Sequence, residues 1–201
     1  MTTRRGSIGA AVLAGGRARR YGGAAKGMLD LGGGRTILQR LLDELDAAGV
    51  SEVILCAGAA AGYEALARPI VPDVHDDAGP LGGIEAALGY YAGQTDATLV
   101  LPCDLPGITA AEIDTLLGAF RRAAARVVVA ETGDSFWHPL CAVVHNDILP
   151  EVTASIEHGE RGVGWLWRKL GALPVRFDDE WALFNVNTPE DLARWREGSG
   201  H

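Results

Sequence analysis

The residues best suited to chemistry are glycines and cations gathered in one stretch near the start of the chain. Residues 13–27 read LAGGRARRYGGAAKG, and no acidic residue occurs before Asp30. Glycine lets backbone N–H groups approach an anion closely, and successive N–H groups form a concave site for phosphate oxygens. The stretch therefore predicts a polyphosphate-binding loop, with Arg20 and Lys26 among the cations that surround it.

Two common phosphate-binding loops do not fit this stretch. A P-loop needs Gly-Lys followed by Ser or Thr, whereas Lys26 lies between an alanine and a glycine. The dinucleotide fingerprint G-x-G-x-x-G is not provided by the Gly15-Gly16 pair. The spacing from Leu13 to Lys26 instead resembles the signature L-A-G-G-x-x-x-R-x-G-x-x-x-K of the nucleotidyltransferase superfamily. Ala25 departs from it, since an acidic residue commonly precedes the lysine.

Asp104 is the acid best placed to work with such a loop. It follows residues 98–101, TLVL, which read as the apolar central strand of a parallel sheet. Open α/β sheets bind ligands at the carboxyl ends of their strands, so Asp104 and the Gly15-Gly16 turn should meet there. Magnesium prefers one or two carboxylates together with phosphate oxygens and water. We therefore expect Asp104 to bind Mg²⁺, the alternative being an aspartate that caps a helix or turn.

Two further motifs carry polar residues towards the end of the chain. Residues 182–186 read as a strand, so Asn185 and Asn187 alternate, and one could reach the site while the other holds the turn. The Asn187 carbonyl oxygen could complete the metal shell. Thr188 reads as the N-cap of a helix that has proline at its first position. His138 either contacts an anionic second substrate or has a structural role. We interpret His75 as a surface residue.

The elements that must position these residues alternate along the chain. Strands are predicted at 8–13, 53–56, 69–71, 98–101, 127–130, 136–144, 173–177 and 182–186. Helices are predicted at 36–49, 63–67, 84–91, 113–122, 148–156 and 164–170, and from Pro189 onward. This alternation predicts an α/β domain with a mostly parallel, Rossmann-like sheet. No linker or composition break divides the chain, so residues 1–201 are expected to form a single domain.

Composition limits the class of partner. The chain has 201 residues, of which 48% are hydrophobic, and a net charge of −8, which argues against a nucleic-acid partner. Three cysteines, Cys56, Cys103 and Cys141, form no Cys-x-x-Cys pair, so neither a disulfide framework nor a zinc site is expected. No stretch approaches the length of a membrane span or a signal peptide. We expect a cytoplasmic protein with no membrane partner.

Five motifs occur in the order found in the molybdenum cofactor guanylyltransferase (MobA) family, which the chain resembles over nearly its whole length. They are LAGG…R…KG at 13–27, GPLGG at 79–83, PCDLP at 102–106, HPL at 138–140 and NVNTPE at 185–190. The last two narrow the resemblance from the wider superfamily to its cofactor branch. It implies a three-layer α/β/α nucleotidyltransferase fold and transfer of GMP from GTP to the phosphate of molybdopterin cofactor, with release of pyrophosphate.

The same resemblance implies roles for individual residues. The implied nucleotide contacts are Leu13, Ala14, Gly15, Gly16, Arg20, Lys26, Asp73, Gly79 and Gly83. The implied contacts to the pterin phosphate or the metal are Asp104, His138, Asn185 and Asn187. Among them Arg20, Lys26 and Asp104 would be catalytic, with Lys26 neutralising charge at the α-phosphate. Mg²⁺ is the implied cofactor. The expected partners are GTP, molybdopterin cofactor and, transiently, other cofactor-biosynthesis proteins. The chain itself is expected to be a monomer or a weak homo-oligomer.

Two alternatives stay open on the sequence. Members of the family often carry Asn-x-Asn after the second strand, where this chain has Cys56-Ala57-Gly58, so a cytidylyltransferase or another nucleotidyltransferase on a related phosphorylated acceptor competes with guanylyl transfer. The other alternative is a non-catalytic protein that binds nucleotide or cofactor. Pyrophosphate release separates the enzymes from the binding protein, and a comparison of GTP with CTP separates the enzymes.

Overall fold

The computed structural model describes residues 6–15, 26–58, 62–75 and 77–198. Within them lie seven strands and six α-helices. The strands are β1 (Ile8–Leu13), β2 (Val53–Cys56), β3 (Ile70–Val71), β4 (Ala97–Pro102), β5 (Val127–Thr132), β6 (Phe136–His145) and β7 (Leu173–Phe177). The helices are α1 (Ile37–Ala47), α2 (Pro80–Tyr91), α3 (Ala110–Arg122), α4 (Leu149–Glu157), α5 (Val163–Lys169) and α6 (Pro189–Gly198). None of these helices combines the length and the apolar character needed to cross a membrane.

The strands form one sheet in the order β3-β2-β1-β4-β6-β5-β7. Every neighbouring pair is parallel except the two that involve β6. From β1 the chain moves to β2 and β3 on one side, and β4 then pairs with β1 on the other. Such a reversal opens a crevice at the carboxyl ends of the two strands, where α/β proteins bind ligands. Leu13 is opposite Pro102 in the ladder, so both strands end at the same level of the crevice.

Helices cover both faces of the sheet. One apolar layer joins the sheet to α1 and α3 through buried residues such as Leu41 and Leu117, and the other joins it to α2, α4 and α5 through residues such as Ile84 and Trp167. All residues of β4 are buried because both of its faces are covered. The predicted three-layer α/β/α fold with a mostly parallel sheet is confirmed.

Three local predictions differ from the structure. The predicted strand at 182–186 is wrong: this stretch is irregular, and Val186 N–H donates to the Asp104 carbonyl instead of to a strand. Helix α2 begins at Pro80, four residues before the predicted start. It includes Gly82 and Gly83, although glycine has low helix propensity. The helix predicted at 63–67 is a short 3₁₀ turn, Glu64–Leu66.

Candidate active site

The turn after β1 starts from a backbone fixed by its neighbours. Ala14 N–H donates to the Cys56 carbonyl over 2.9 Å, and the Tyr63 hydroxyl donates to the Ala14 carbonyl over 3.3 Å. These bonds carry the chain to Gly15 at the carboxyl edge of the sheet. Gly16 and Arg20, predicted to hold the triphosphate, lie outside the described residues.

Three of the candidate residues meet beside this turn. Lys26 Nζ donates to Asn187 Oδ1 over 2.7 Å and lies 3.4 Å from Asp104 Oδ2. The three residues are far apart in the sequence, so three separate segments of the chain meet here. The Lys26 side chain is 31% exposed, so its ammonium faces both solvent and the acid. The arrangement puts one cation and two side-chain oxygen atoms at the point where β1 and β4 end.

The place of Lys26 depends on the residue after it. Gly27 is buried, and a Cβ added there would lie 3.2 Å from Leu38 Cβ and 3.4 Å from Cys103 Cβ. A side chain at this position would therefore push the lysine backbone away from α1 and from the end of β4. Cys103 itself is buried, and burial raises the pKa of its thiol to about 12. It packs as a small apolar residue rather than acting as a nucleophile.

Asp104 is an acid held in a place that disfavours its charge. Burial raises the pKa of its carboxyl, and the neighbouring Lys26 ammonium opposes that rise. Its Oδ1 atom is buried and has no hydrogen-bond partner among the residues that the structure describes. A buried polar atom without a partner is costly unless a ligand completes its bonding. Asp104 and Asn187 thus provide oxygen atoms of the kind that Mg²⁺ prefers.

Asn187 is held by the start of α6. Its N–H and the N–H of Thr188 both donate to Asp191 Oδ2, over 3.0 and 2.9 Å, and Asp191 N–H donates back to Thr188 Oγ1. This reciprocal pattern is a helix cap, as predicted for Thr188. Because Val186 N–H is bonded to the Asp104 carbonyl, the cap fixes the Asn187 side chain over the acid. Asn185 is exposed at the edge of the same segment.

A second group of candidates forms a floor at the ends of β1, β2 and β3. A Cβ added to Gly83 would lie 3.0 Å from Leu13 Cδ2, 3.5 Å from Cys56 Cβ and 3.7 Å from Asp73 Oδ1. One added to Gly82 would lie 3.1 Å from Asp73 Oδ2. The first turn of α2 is therefore glycine because the Asp73 carboxylate and the Leu13 side chain lie directly against it.

The turn into α2 has a conformation that favours glycine. Gly79 has φ 62° and ψ −150°, a combination essentially restricted to residues without a Cβ. Pro80 then starts the helix, where its missing N–H costs nothing. The turn and the glycine floor together bring Asp73, Gly79 and Gly83 to one side of the crevice, opposite Lys26.

His138 lies on β6, on the far side of β4. Because β6 runs antiparallel to β4, its first residues lie at the edge where β4 ends. His138 Nε2 is 2.8 Å from Thr132 Oγ1, and burial lowers the pKa of the imidazole. A neutral ring is therefore favoured, and it would meet an anion through an N–H hydrogen bond rather than through full charge.

One pair in this region has no signature in the sequence. His75 Nδ1 lies 2.7 Å from Glu85 Oε2, although the sequence indicates only a surface histidine. The two residues are ten positions apart, across the turn into α2, and match no spacing rule. An acid on the apolar helix α2 is the one local signal that could have drawn attention to them, since a buried carboxylate needs partners.

The chain is similar to known proteins over most of its length. Residues 10–173 match the family described as MobA-like NTP transferase domain. A molybdenum cofactor guanylyltransferase of Vibrio atlanticus is 34% identical over 186 residues, which cover 92% of this chain and 93% of that one. Another, of Pseudomonas paraeruginosa, is 35% identical over 190 residues and covers 92% and 93%. The crystal structure of molybdopterin-guanine dinucleotide biosynthesis protein A from Archaeoglobus fulgidus shares the fold, with TM-score 0.76, 23% identity and coverage of 94% and 97%.

Proposed function

The chain belongs to the MobA-like NTP transferase family, and we propose that it transfers GMP from GTP to the phosphate of molybdopterin cofactor, releasing pyrophosphate. The observation that carries the proposal is the meeting of Lys26, Asp104 and Asn187 at the crevice between β1 and β4. Relatives named for guanylyl transfer cover more than nine tenths of the chain, which supports the same activity here.

The proposed reaction exchanges one P–O bond for another. An oxygen of the acceptor phosphate attacks the α-phosphorus of GTP, and the bond from that phosphorus to the oxygen bridging to the β-phosphorus breaks. Pyrophosphate leaves with the electron pair of the broken bond. Transfers of this type depend on positioning and charge neutralisation, so the chain needs no covalent nucleophile. Lys26 supplies a positive charge held in place beside the crevice by two oxygen atoms.

Asp104 and Asn187 are the residues that we propose hold Mg²⁺. The fit rests on two hard oxygen atoms: the amide oxygen of Asn187 and the buried Oδ1 of Asp104, which has no hydrogen-bond partner within the described part of the chain. When bound there, the ion would supply positive charge to neutralise the phosphates. The cap on α6 keeps the Asn187 amide oxygen in place. Gly27 allows the chain to pack closely enough to keep the Lys26 ammonium near the Asn187 and Asp104 oxygen atoms.

Asp73 is exposed beside the buried first turn of α2, and its carboxylate suits guanine. An ionised carboxylate only accepts hydrogen bonds. Guanine presents two donors side by side, N1–H and the exocyclic amine, whereas adenine and cytosine each present one amine next to an acceptor. The Asp73 carboxylate lies against the glycine floor, where it can accept both of guanine's donors.

We expect GTP to bind more tightly than ATP or CTP in the presence of Mg²⁺. The expected preference is on the order of tenfold or more, because each lost hydrogen bond to a charged group costs about 1.5–3 kcal/mol. Competition binding of the three nucleotides to the full chain measures it. Tighter binding of CTP would assign the chain to cytidylyl transfer, and binding of GTP without pyrophosphate release in the presence of acceptor would make it a binding protein.

The replacement Asp73→Asn tests the base contact separately. The amide puts a donor opposite one of guanine's donors, so the affinity for GTP should fall by about tenfold and the preference over ATP should shrink. Equilibrium dialysis with both nucleotides gives the two affinities. Asp178→Asn is the matched control, since Asp178 is almost fully exposed after β7. An unchanged GTP-to-ATP ratio in Asp73→Asn would remove Asp73 from base recognition.

A further inference from the structure

Glu85 is a buried acid whose place connects three elements. It lies on α2, and its side chain is only 5% exposed. Its Oε2 atom accepts from His75 Nδ1 over 2.7 Å, and its Oε1 atom accepts from the Thr153 hydroxyl of α4 over 2.7 Å. Each carboxylate oxygen thus has a partner, one on the turn before α2 and one on α4.

The turn that His75 belongs to also carries Asp73. Its residues, 72–75 and 77–79, lead from β3 into α2 and are mostly exposed. Asp77 has φ 57°, a left-handed conformation that is uncommon outside glycine, and its carbonyl accepts from Arg161 Nε over 2.9 Å. An exposed turn with such a backbone needs contacts that hold it, and His75 and Arg161 provide one on each side of α2's start.

We infer that Glu85 and His75 are positioning residues that hold the Asp73 turn against the glycine floor and thereby set the affinity for the nucleotide base. This inference rests on the proposed function, since it assigns Asp73 to the base. The chain of contacts runs from Thr153 on the body of the protein, through Glu85, to His75, two residues from Asp73. Neither Glu85 nor His75 is expected to touch the triphosphate, which the turn after β1 and Lys26 are expected to hold.

Removal of the contact between His75 and Glu85 should therefore weaken binding of the base without weakening binding of the phosphates. His75→Ala leaves the turn without its bond to α2, so Asp73 samples more positions and the affinity for GTP falls by about tenfold. The affinity for pyrophosphate, which has no base, stays within about twofold of the unaltered chain. The turnover number at saturating GTP stays the same, because the reacting groups are untouched. Thr153→Val, which removes the other partner of Glu85, should shift GTP affinity in the same direction.

The experiment measures binding of GTP and of pyrophosphate, each with Mg²⁺, to the full chain by calorimetry. His75→Asn is the rescue variant, because its amide N–H can take the place of Nδ1–H and should restore GTP affinity. His145→Ala is the matched control: His145 Nδ1 lies 3.1 Å from Asp147 Oδ1 at the opposite edge of the sheet, and its loss should change neither affinity.

Several outcomes would overturn the inference. Unchanged GTP affinity in His75→Ala would do so, as would an equal loss for GTP and pyrophosphate, which indicates general damage to the fold. Failure of His75→Asn to recover GTP affinity would show that the hydrogen bond is not what holds the turn. If the unaltered chain itself binds no GTP, the proposed function fails and this inference fails with it. If the unaltered chain binds GTP and His75→Ala binds GTP with the same affinity, only the inference fails.

Discussion

We expect that replacing Asp104 with alanine abolishes measurable pyrophosphate release, a fall of about 10²–10³-fold or more, while the protein stays folded. The rate falls because the chain loses the buried carboxylate that we propose holds Mg²⁺, and one preorganised charge-stabilising group alone is worth about 10²–10³. The fold survives because Val186 is held by the Asp104 backbone carbonyl, which the replacement leaves in place. Parallel assays of pyrophosphate release and thermal melting measure the two effects.

The melting temperature of this variant should equal or exceed that of the unaltered chain. Burial raises the folded-state pKa of Asp104, so the fold disfavours its charge and the carboxylate destabilises the folded state at neutral pH. This gain in stability is fully present above the raised folded-state pKa of Asp104 and is lost as the pH falls from there to the ordinary pKa of aspartate. Asp43→Ala, at an exposed acid paired with Arg35, is the control and should change neither quantity. Wild-type activity in Asp104→Ala would exclude the metal role.

Replacing Lys26 with alanine lowers kcat by about 10²–10³-fold and weakens GTP binding much less. The ammonium lies at the edge of the crevice, and in the proposed reaction it faces the negative charge that develops on the phosphoryl oxygens in the transition state. A group that acts mainly in the transition state affects kcat more than ground-state binding. GTP affinity is largely retained because Arg20 and the Gly15-Gly16 backbone are still expected to hold the triphosphate. Steady-state kinetics at saturating acceptor, beside direct binding of GTP, separate the two constants.

Arginine should not replace this lysine. Lys26 Nζ contacts two oxygens from one point, at 2.7 and 3.4 Å, whereas a guanidinium is a planar fork that spreads its donors. Lys26→Arg therefore recovers only part of the lost kcat. Lys169→Ala is the control, because Lys169 lies over the exposed ring of Trp165 on α5 and forms no hydrogen bond or ion pair with Asp104 or Asn187 among the residues described. Strongly weakened GTP binding with unchanged kcat in Lys26→Ala would make the residue a docking group and contradict the catalytic assignment.

Much of the crevice could be predicted from strand ends. The apolar runs that form β1 and β4 have few polar residues, which is typical of central parallel strands, so the turn after β1 and Asp104 could be assigned to one edge of the sheet. The cap at Thr188 could be predicted as well, since proline follows it and an acid comes three residues later. These signals are local, and the rule that joins them is a property of all open α/β sheets.

The rest depends on contacts that no local pattern encodes. Gly82 and Gly83 look like loop residues, yet they lie in the first turn of α2, where Asp73 and Leu13 approach them closely. The stretch 182–186 alternates like a strand, but its Val186 N–H is bonded to the Asp104 carbonyl and not to a ladder. The contact between His75 and Glu85 is set by the path of a turn, which their separation in sequence does not reveal.

The position of β6 between β4 and β5 also determines how the chain can assemble during synthesis. Of the strands that the structure describes, β5 pairs only with β6 and β7, and both follow it in the chain. Its buried valines therefore leave the ribosome before either of these strands can pair with them. Among these strands β6 alone pairs with both β4 and β5, so β5 can join the part of the sheet made by β1 to β4 only through β6. Asn187 emerges later still, and a nascent chain can therefore fold around β1 to β4 and carry Lys26 and Asp104 before it is able to complete the crevice.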